Sequence, residues 1–261
     1  MRDDNRLHDR IKIGMAILLL ALAYLLPGLG LRITKDRLQT RQDIKGSGTE
    51  AARTEEPQET ASRGIILVDP GHGGRDPGMI GVDGLEEKGI NLEIAQKLQR
   101  LLEEEGYEAV LTRQTDAGLY EEDAANKKAQ DLKRRCQMIE ELEPLVTVSI
   151  HQNSYQDPSV QGPQVFYYRD SREGKKLAEA IQEQMNETLQ IANPRQIKAN
   201  DEYYILKHSP GTAVLVECSF LSSPEEAAKI QTEEYQQAAA RAICGGILLY
   251  LEEKNPVQDN A

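Results

Sequence analysis

An α/β domain with a mostly parallel sheet between helices is the fold class this sequence predicts. Two observations carry it. Short runs of β-branched and apolar residues alternate with longer amphipathic segments from about residue 64 onward. Apolar residues make up 39% of a 261-residue chain, enough for one sizeable core. There is no internal repeat that would argue for a solenoid.

Ahead of this pattern, residues 1–12 read as a charged cytoplasmic N-terminus, and 13–31, "IGMAILLLALAYLLPGLGL", form a run without a charge. That run is close to the roughly 20 residues that span a bilayer. It reads as a cleaved signal peptide or an uncleaved signal anchor. Its length and the lack of an A-x-A site favour the anchor, although Arg32, Lys35 and Arg37 just after it weaken the positive-inside argument. Either reading exports the larger part across the cytoplasmic membrane, anchored or secreted. Residues 32–63 lack apolar periodicity and read as a disordered linker. The domain itself is expected over 64–253, with a tail over 254–261.

Within the domain, "GIILVDP" is a buried strand. "NLEIAQKLQRLLEEEG" places apolar residues at 94, 98, 101 and 102 and ends on Gly106, the pattern of a helix with a glycine stop. "YEAVLTR" is a strand, 120–142 a charged amphipathic helix, "LVTVSIH" a strand and "PQVFYY" another. "GKKLAEAIQEQMNETL" is a helix, "YYILK" a short strand, "TAVLVECSF" a buried strand and "YQQAAARAICGGILLYLEE" the closing helix.

The formal net charge is −12, and the first 45 residues are net basic, so residues 46–261 carry all the acid excess. Such a surface does not neutralise phosphates, and no nucleic-acid partner is expected. Cys136, Cys218 and Cys244 are far apart without a CxxC, which argues against a disulfide framework and a thiolate zinc site.

The domain holds three histidines, His72, His151 and His208. His72 and His151 each end a predicted strand, the edge at which open α/β sheets bind ligands. The topology can thus bring them together across 79 residues. A catalytic zinc takes three protein ligands and an open position. The third would be His208, a carboxylate or a cysteine. Spacing alone leaves Glu86 and Glu87 as a solvated charge run at a helix start. Glu217 ends the apolar run "AVLV", where a carboxylate is either paired with a cation or positioned for chemistry; burial raises its pKa towards the range of a general acid or base. The loop "DPGHGGRDPG" lacks both phosphate-binding glycine fingerprints. No G-x-S-x-G elbow is present, and strand alternation turns Cys218 away from Glu217.

Four blocks, "ILVDPGHGGRDPGMIG", "GLEEKGINLEIA", "VSIHQNS" and "AVLVECSFLSSPEE", occur in an order and at separations that resemble the zinc-dependent N-acetylmuramoyl-L-alanine amidases. The resemblance runs from about Gly64 to Glu252. It implies a twisted mixed sheet flanked by helices and one Zn2+ held by His72, Glu87 and His151, with Glu217 as the catalytic acid–base. Glu87, not Glu86, is the ligand because it directly precedes the lysine. "PQVFYY" and "NPRQIKANDEYYILK" look most like the germination-specific branch, which acts on spore cortex ahead of muramic δ-lactam formation by a deacetylase. Ser219, Ser223 and Gly89 stand where the family usually has Gly, Asn and Asp.

On this reading the partner is peptidoglycan, with the membrane through the N-terminal segment. An activator protein or the downstream deacetylase are further candidate partners. Asn153, two residues past His151 on the same side of its strand, either bonds substrate or caps the turn. Arg195 and Lys198 contact stem-peptide carboxylates or stay solvated. Asp76 orients a metal ligand or a turn, and His208 is structural or exposed. The rival readings are another zinc hydrolase of the wall, a peptidase or deacetylase, and a non-catalytic peptidoglycan-binding protein.

Overall fold

The computed structural model describes residues 62–254. The expected cytoplasmic N-terminus (1–12), membrane segment (13–31), linker (32–63) and tail (254–261) lie outside the described residues, apart from 62, 63 and 254. No helix among the described residues is long and apolar enough to cross a membrane.

Six strands form one sheet: β1 (Ile65–Pro70), β2 (Glu108–Leu111), β3 (Val146–Asn153), β4 (Gln164–Tyr168), β5 (Lys198–Asn200) and β6 (Ala213–Phe220). The spatial order is β2-β1-β3-β6-β4-β5. β1, β2, β3 and β6 run parallel; β4 is antiparallel to β6 and carries β5 parallel to itself. The mixed, mostly parallel sheet is therefore as expected, with the reversal confined to one edge. Six helices accompany it: α1 (Glu87–Glu104), α2 (Lys127–Leu142), α3 (Arg172–Thr188), α4 (Tyr204–His208), α5 (Pro224–Ile230) and α6 (Glu233–Lys254).

Strand alternation divides the core in two. Ile66 and Val68, Val146, Val148 and Ile150, and Val214, Val216 and Cys218 point into the larger layer, against residues of α1, α3 and α6. Leu67, Phe166, Ala213 and Leu215 point to the opposite face, where Cys136 and Ile139 of α2 and Ile205 and Leu206 of α4 cover them. By the same parity Asp69, Ser149, His151 and Glu217 belong to this second face. Among the described residues, α2 and the short α4 cover that face, and a cavity opens at its C-terminal edge.

Two expected elements differ. The helix expected over 120–142 starts at Lys127, because Asn126 caps it by accepting from Ala129 N at 3.0 Å. The preceding turns are fixed by Asp131 and Gln130, which accept from the amides of Leu119 and Glu121. "YYILK" is not a strand but α4. Asn200 Oδ1 accepts from the amides of Glu202 and Tyr203, at 2.9 and 2.8 Å, and bends the chain into a helical turn. The short strand β5 and helix α5 are additions to the expected set.

Candidate metal centre

β1 ends at Pro70, and the chain then turns sharply through His72 at φ 62°, Gly73 at 131° and Gly74 at 60°. A non-glycine residue in the left-handed region costs about 1–2 kcal/mol. Two buried arginines offset this by gripping the carbonyls on either side. Arg135 from α2 donates Nη1 to Pro70 O at 2.9 Å and Nη2 to His72 O at 2.6 Å. Arg113, beyond β2, donates Nε to Pro70 O and Nη2 to Gly71 O. Arg135 is itself held by Asp69 and by Asp131, the latter at 2.6 Å. Asp69 also accepts from Thr112 Oγ1 and Ser149 Oγ, both at 2.6 Å. Burial opposes its charge, but Arg135 and these two hydroxyls hold its carboxyl down at about 2.

This loop, the start of α1 and the end of β3 bring His72, Glu87 and His151 together. One nitrogen or oxygen from each lies within 4.8 Å of the others. His72 Nε2 is 3.2 Å from Glu87 Oε2, and His151 Nδ1 is 2.9 Å from Glu87 Oε1. The rings meet edge to face, with centroids 4.9 Å apart. Gly71 has to be glycine here, since a Cβ would sit 2.2 Å from His151 Nε2.

Glu87 is 1% exposed. Asn91 Nδ2 and the amide of Gln152 donate to its Oε1, and the amide of Met79 donates to Oε2. Burial alone would raise its pKa, but the bonds to His151 and His72 hold the carboxyl well below its usual range. Asp76 Oδ2 sits 3.0 Å from His72 Nδ1. Nδ1 of His72 thus faces Asp76 while Nε2 faces Glu87, so Asp76 is positioned to orient the His72 ring. Its Oδ1 also accepts from Gly78 N, which closes a turn as well. Two imidazole nitrogens and one oriented carboxylate suit zinc, with room for a fourth, open position.

Glu217 on β6 lies in register with His151 on β3. It is 6% exposed. Burial pushes its carboxyl up to about 7. Oε1 accepts from Tyr203 O–H at 3.4 Å, while Oε2 is buried without a hydrogen-bond partner among the described residues. His72, Glu87, His151, Asn153, Tyr203 and Glu217 all line one cavity of about 510 Å³. Cys218, one residue on, points into the larger core layer.

The weaker expectations fall out as follows. Asn153 lines the cavity past a bulge that follows His151, and its Oδ1 accepts from Ser154 N at 2.8 Å. Arg195 and Lys198 are not among the cavity-lining residues. Arg195 donates to Gln164 Oε1 and lies over Phe220; Lys198 sits 5.9 Å from the Phe166 ring centre. His208 is exposed and stacks on Tyr204. Sequence reasoning passed over Asn91, Tyr203, Arg113 and the Asp69–Arg135 pair. Asp69 carried a usable signal, the same as Glu217's: a carboxylate closing an apolar strand.

Residues 66–248 match the family described as N-acetylmuramoyl-L-alanine amidase. The germination-specific N-acetylmuramoyl-L-alanine amidase of Bacillus subtilis is 35% identical over 193 residues, which cover 73% of this chain and 81% of the relative. Among solved structures, the CwlD amidase from Clostridioides difficile, in complex with the GerS lipoprotein, is 37% identical with a TM-score of 0.71. It covers 73% of this chain and 99% of its own. The amidase AmiC2 of Nostoc punctiforme is 32% identical with a TM-score of 0.64, covering 72% and 97%. The family is zinc-dependent in general. With a family match across the whole described sheet and its histidines and glutamates gathered at one edge, this chain belongs to the N-acetylmuramoyl-L-alanine amidase family.

Proposed function

We propose that this chain hydrolyses the amide between the lactyl group of N-acetylmuramic acid and L-alanine in peptidoglycan, with His72, Glu87 and His151 holding one zinc ion. The observation that carries this reading is the convergence of those three donors within 4.8 Å, beside a buried carboxylate in the same cavity. A bound zinc ion supplies Lewis acidity, which polarises a carbonyl and lowers the pKa of a water.

The chain's own residues do the rest. Asp76 sets the tautomer of His72, and Asn91 with the amides of Met79 and Gln152 fixes Glu87. Glu217 takes a proton from the attacking water at Oε2 and passes it to the nitrogen that leaves with L-alanine. A carboxyl that burial lifts above the usual carboxylate range suits both halves of that transfer. The products are a muramoyl carboxylate and a stem peptide with a free amine. Asn153, which lines the cavity, bonds substrate through its side-chain amide nitrogen, its Oδ1 being taken by Ser154 N. Arg195 and Lys198 lie outside the cavity, so contact with a stem-peptide carboxylate requires a substrate that reaches past Gln164.

The likeness to the germination-specific relative supports spore cortex as the substrate, outside the cytoplasmic membrane, as a step toward muramic δ-lactam. The C. difficile amidase was solved with a lipoprotein, which supports an activating protein partner here.

The test is zinc stoichiometry and muropeptide release by the full chain. Glu217→Gln is expected to lower the rate by about 10²- to 10⁴-fold with zinc retained; full activity would defeat the role of Glu217. Glu87→Ala is expected to lose zinc, and unchanged zinc content would defeat the ligand set. Release of a product without a new L-alanine amine would favour a peptidase or deacetylase.

A further inference from the structure

We propose that Tyr203 is a positioning residue for Glu217: its hydroxyl holds Oε1, so that Oε2 is the oxygen presented to the reacting proton. The proposal rests on the reading of Glu217 given above and deepens it.

Among the described residues, Tyr203 is the one hydrogen-bond donor to the Glu217 carboxyl. Oε2 is buried and has none. A buried carboxyl with a single donor has its orientation set by that donor, since a desolvated charge gains most from the bond it does have. The O–H to Oε1 distance of 3.4 Å is long for this type of bond. Hydrogen bonds of catalytic groups are often long in the free site and tighten in the substrate complex. Burial and the neighbouring Glu217 carboxylate push the Tyr203 phenol above its usual pKa. It therefore stays protonated and donates throughout the working pH range.

Tyr203 is itself built into the fold. Asn200, the last residue of β5, accepts from its amide at 2.8 Å. Its ring packs edge-on against Phe166, with centroids 5.4 Å apart. Phe166 belongs to β4 and lies in register with Leu215 of β6, two residues before Glu217. Donor and acceptor are thus tied to adjacent strands of one sheet, which sets their separation. In this way the reversed edge of the sheet, β4 and β5, delivers the phenol across the cavity to the strand that carries Glu217.

Tyr203→Phe removes the hydroxyl and keeps the ring against Phe166. In the zinc-loaded full chain it is expected to lower kcat by about 10- to 100-fold. KM should move less than about twofold, with zinc stoichiometry and Tm unchanged. In the metal-free chain, infrared difference spectra should show a shifted carboxyl or carboxylate stretch in Tyr203→Phe. That shift should vanish in the Glu217→Gln background. Tyr203→Phe should also slow Glu217→Gln no further. Parental kcat in Tyr203→Phe, a loss confined to KM, or an unshifted stretch would overturn the proposal. Full activity in Glu217→Gln would instead defeat the reading of Glu217 on which it rests, so the two failures are distinct.

Discussion

Replacing Arg135 with methionine strikes the part of the structure that holds the His72 loop, and its cost can be worked from the contacts. Asp69 is 1% exposed and Arg135 2%, and they form a direct ion pair. Methionine keeps most of the volume but leaves the Asp69 carboxylate with only Thr112 and Ser149 as donors. Breaking one side of a buried pair typically costs about 3–5 kcal/mol. For a domain of this size, about 2–4 °C of Tm per kcal/mol follows, or about 6–20 °C in all.

Acid dependence gives a second reading of the same pair. The Asp69 carboxyl is held at about 2 in the folded chain, against about 3.9 when unfolded. A depressed carboxyl pKa contributes stability that is present above pH 4 and lost as pH falls from about 4 to about 2. The contribution is roughly 2–3 kcal/mol, and Asp69→Asn should remove it. Thermal unfolding by circular dichroism, with the single variants and Asp69→Asn/Arg135→Met, completes the cycle. The double variant should recover part of the loss, because the Asp69 charge is no longer buried without its partner. If Arg135→Met costs under about 1 kcal/mol, or the double variant is no more stable than the single one, the clamp is not an ion-pair clamp.

Two further perturbations test other links. Asp76→Ala removes the acceptor for His72 Nδ1 and should weaken zinc about 10- to 100-fold with Tm of the metal-free chain unchanged; chelator competition measures this, and an unaltered Kd would show that Asp76 serves only its turn with Gly78. Gly246 on α6 faces α3 so closely that a Cβ would lie 2.5 Å from Ile181 Cα; Gly246→Ala should therefore destabilise by about 1–3 kcal/mol in urea unfolding, and a neutral result would mean that the two helices slide apart freely.

The alternation of β-branched runs with amphipathic segments made the α/β class legible, because both periods are written locally in the chain. His72 and His151 were legible as strand-end residues, and Glu217 as a carboxylate closing an apolar run. Glu87 was legible only through the family resemblance: by spacing it looked like one more acid at a helix start. The helix expected over 120–142 and the strand expected at "YYILK" went wrong for one reason. Side chains of Asn126, Asp131 and Asn200 bind backbone amides there, and periodicity does not register such bonds.

By itself, then, the sequence determined which residue types stand at the ends of which strands, and with them the class of chemistry. Only the tertiary structure decided what each of them touches. Strand parity put Asp69, Ser149, His151 and Glu217 on one face. The register of β3 on β6 set His151 beside Glu217. Arg113, Arg135 and Tyr203 reach the site from elements 30 or more residues away in sequence or across the sheet's reversed edge. Hydrogen bonds and burial act through space, so the orientation of Glu87 by Asn91 and two amides, or of Glu217 by Tyr203, exists only once the strands have paired.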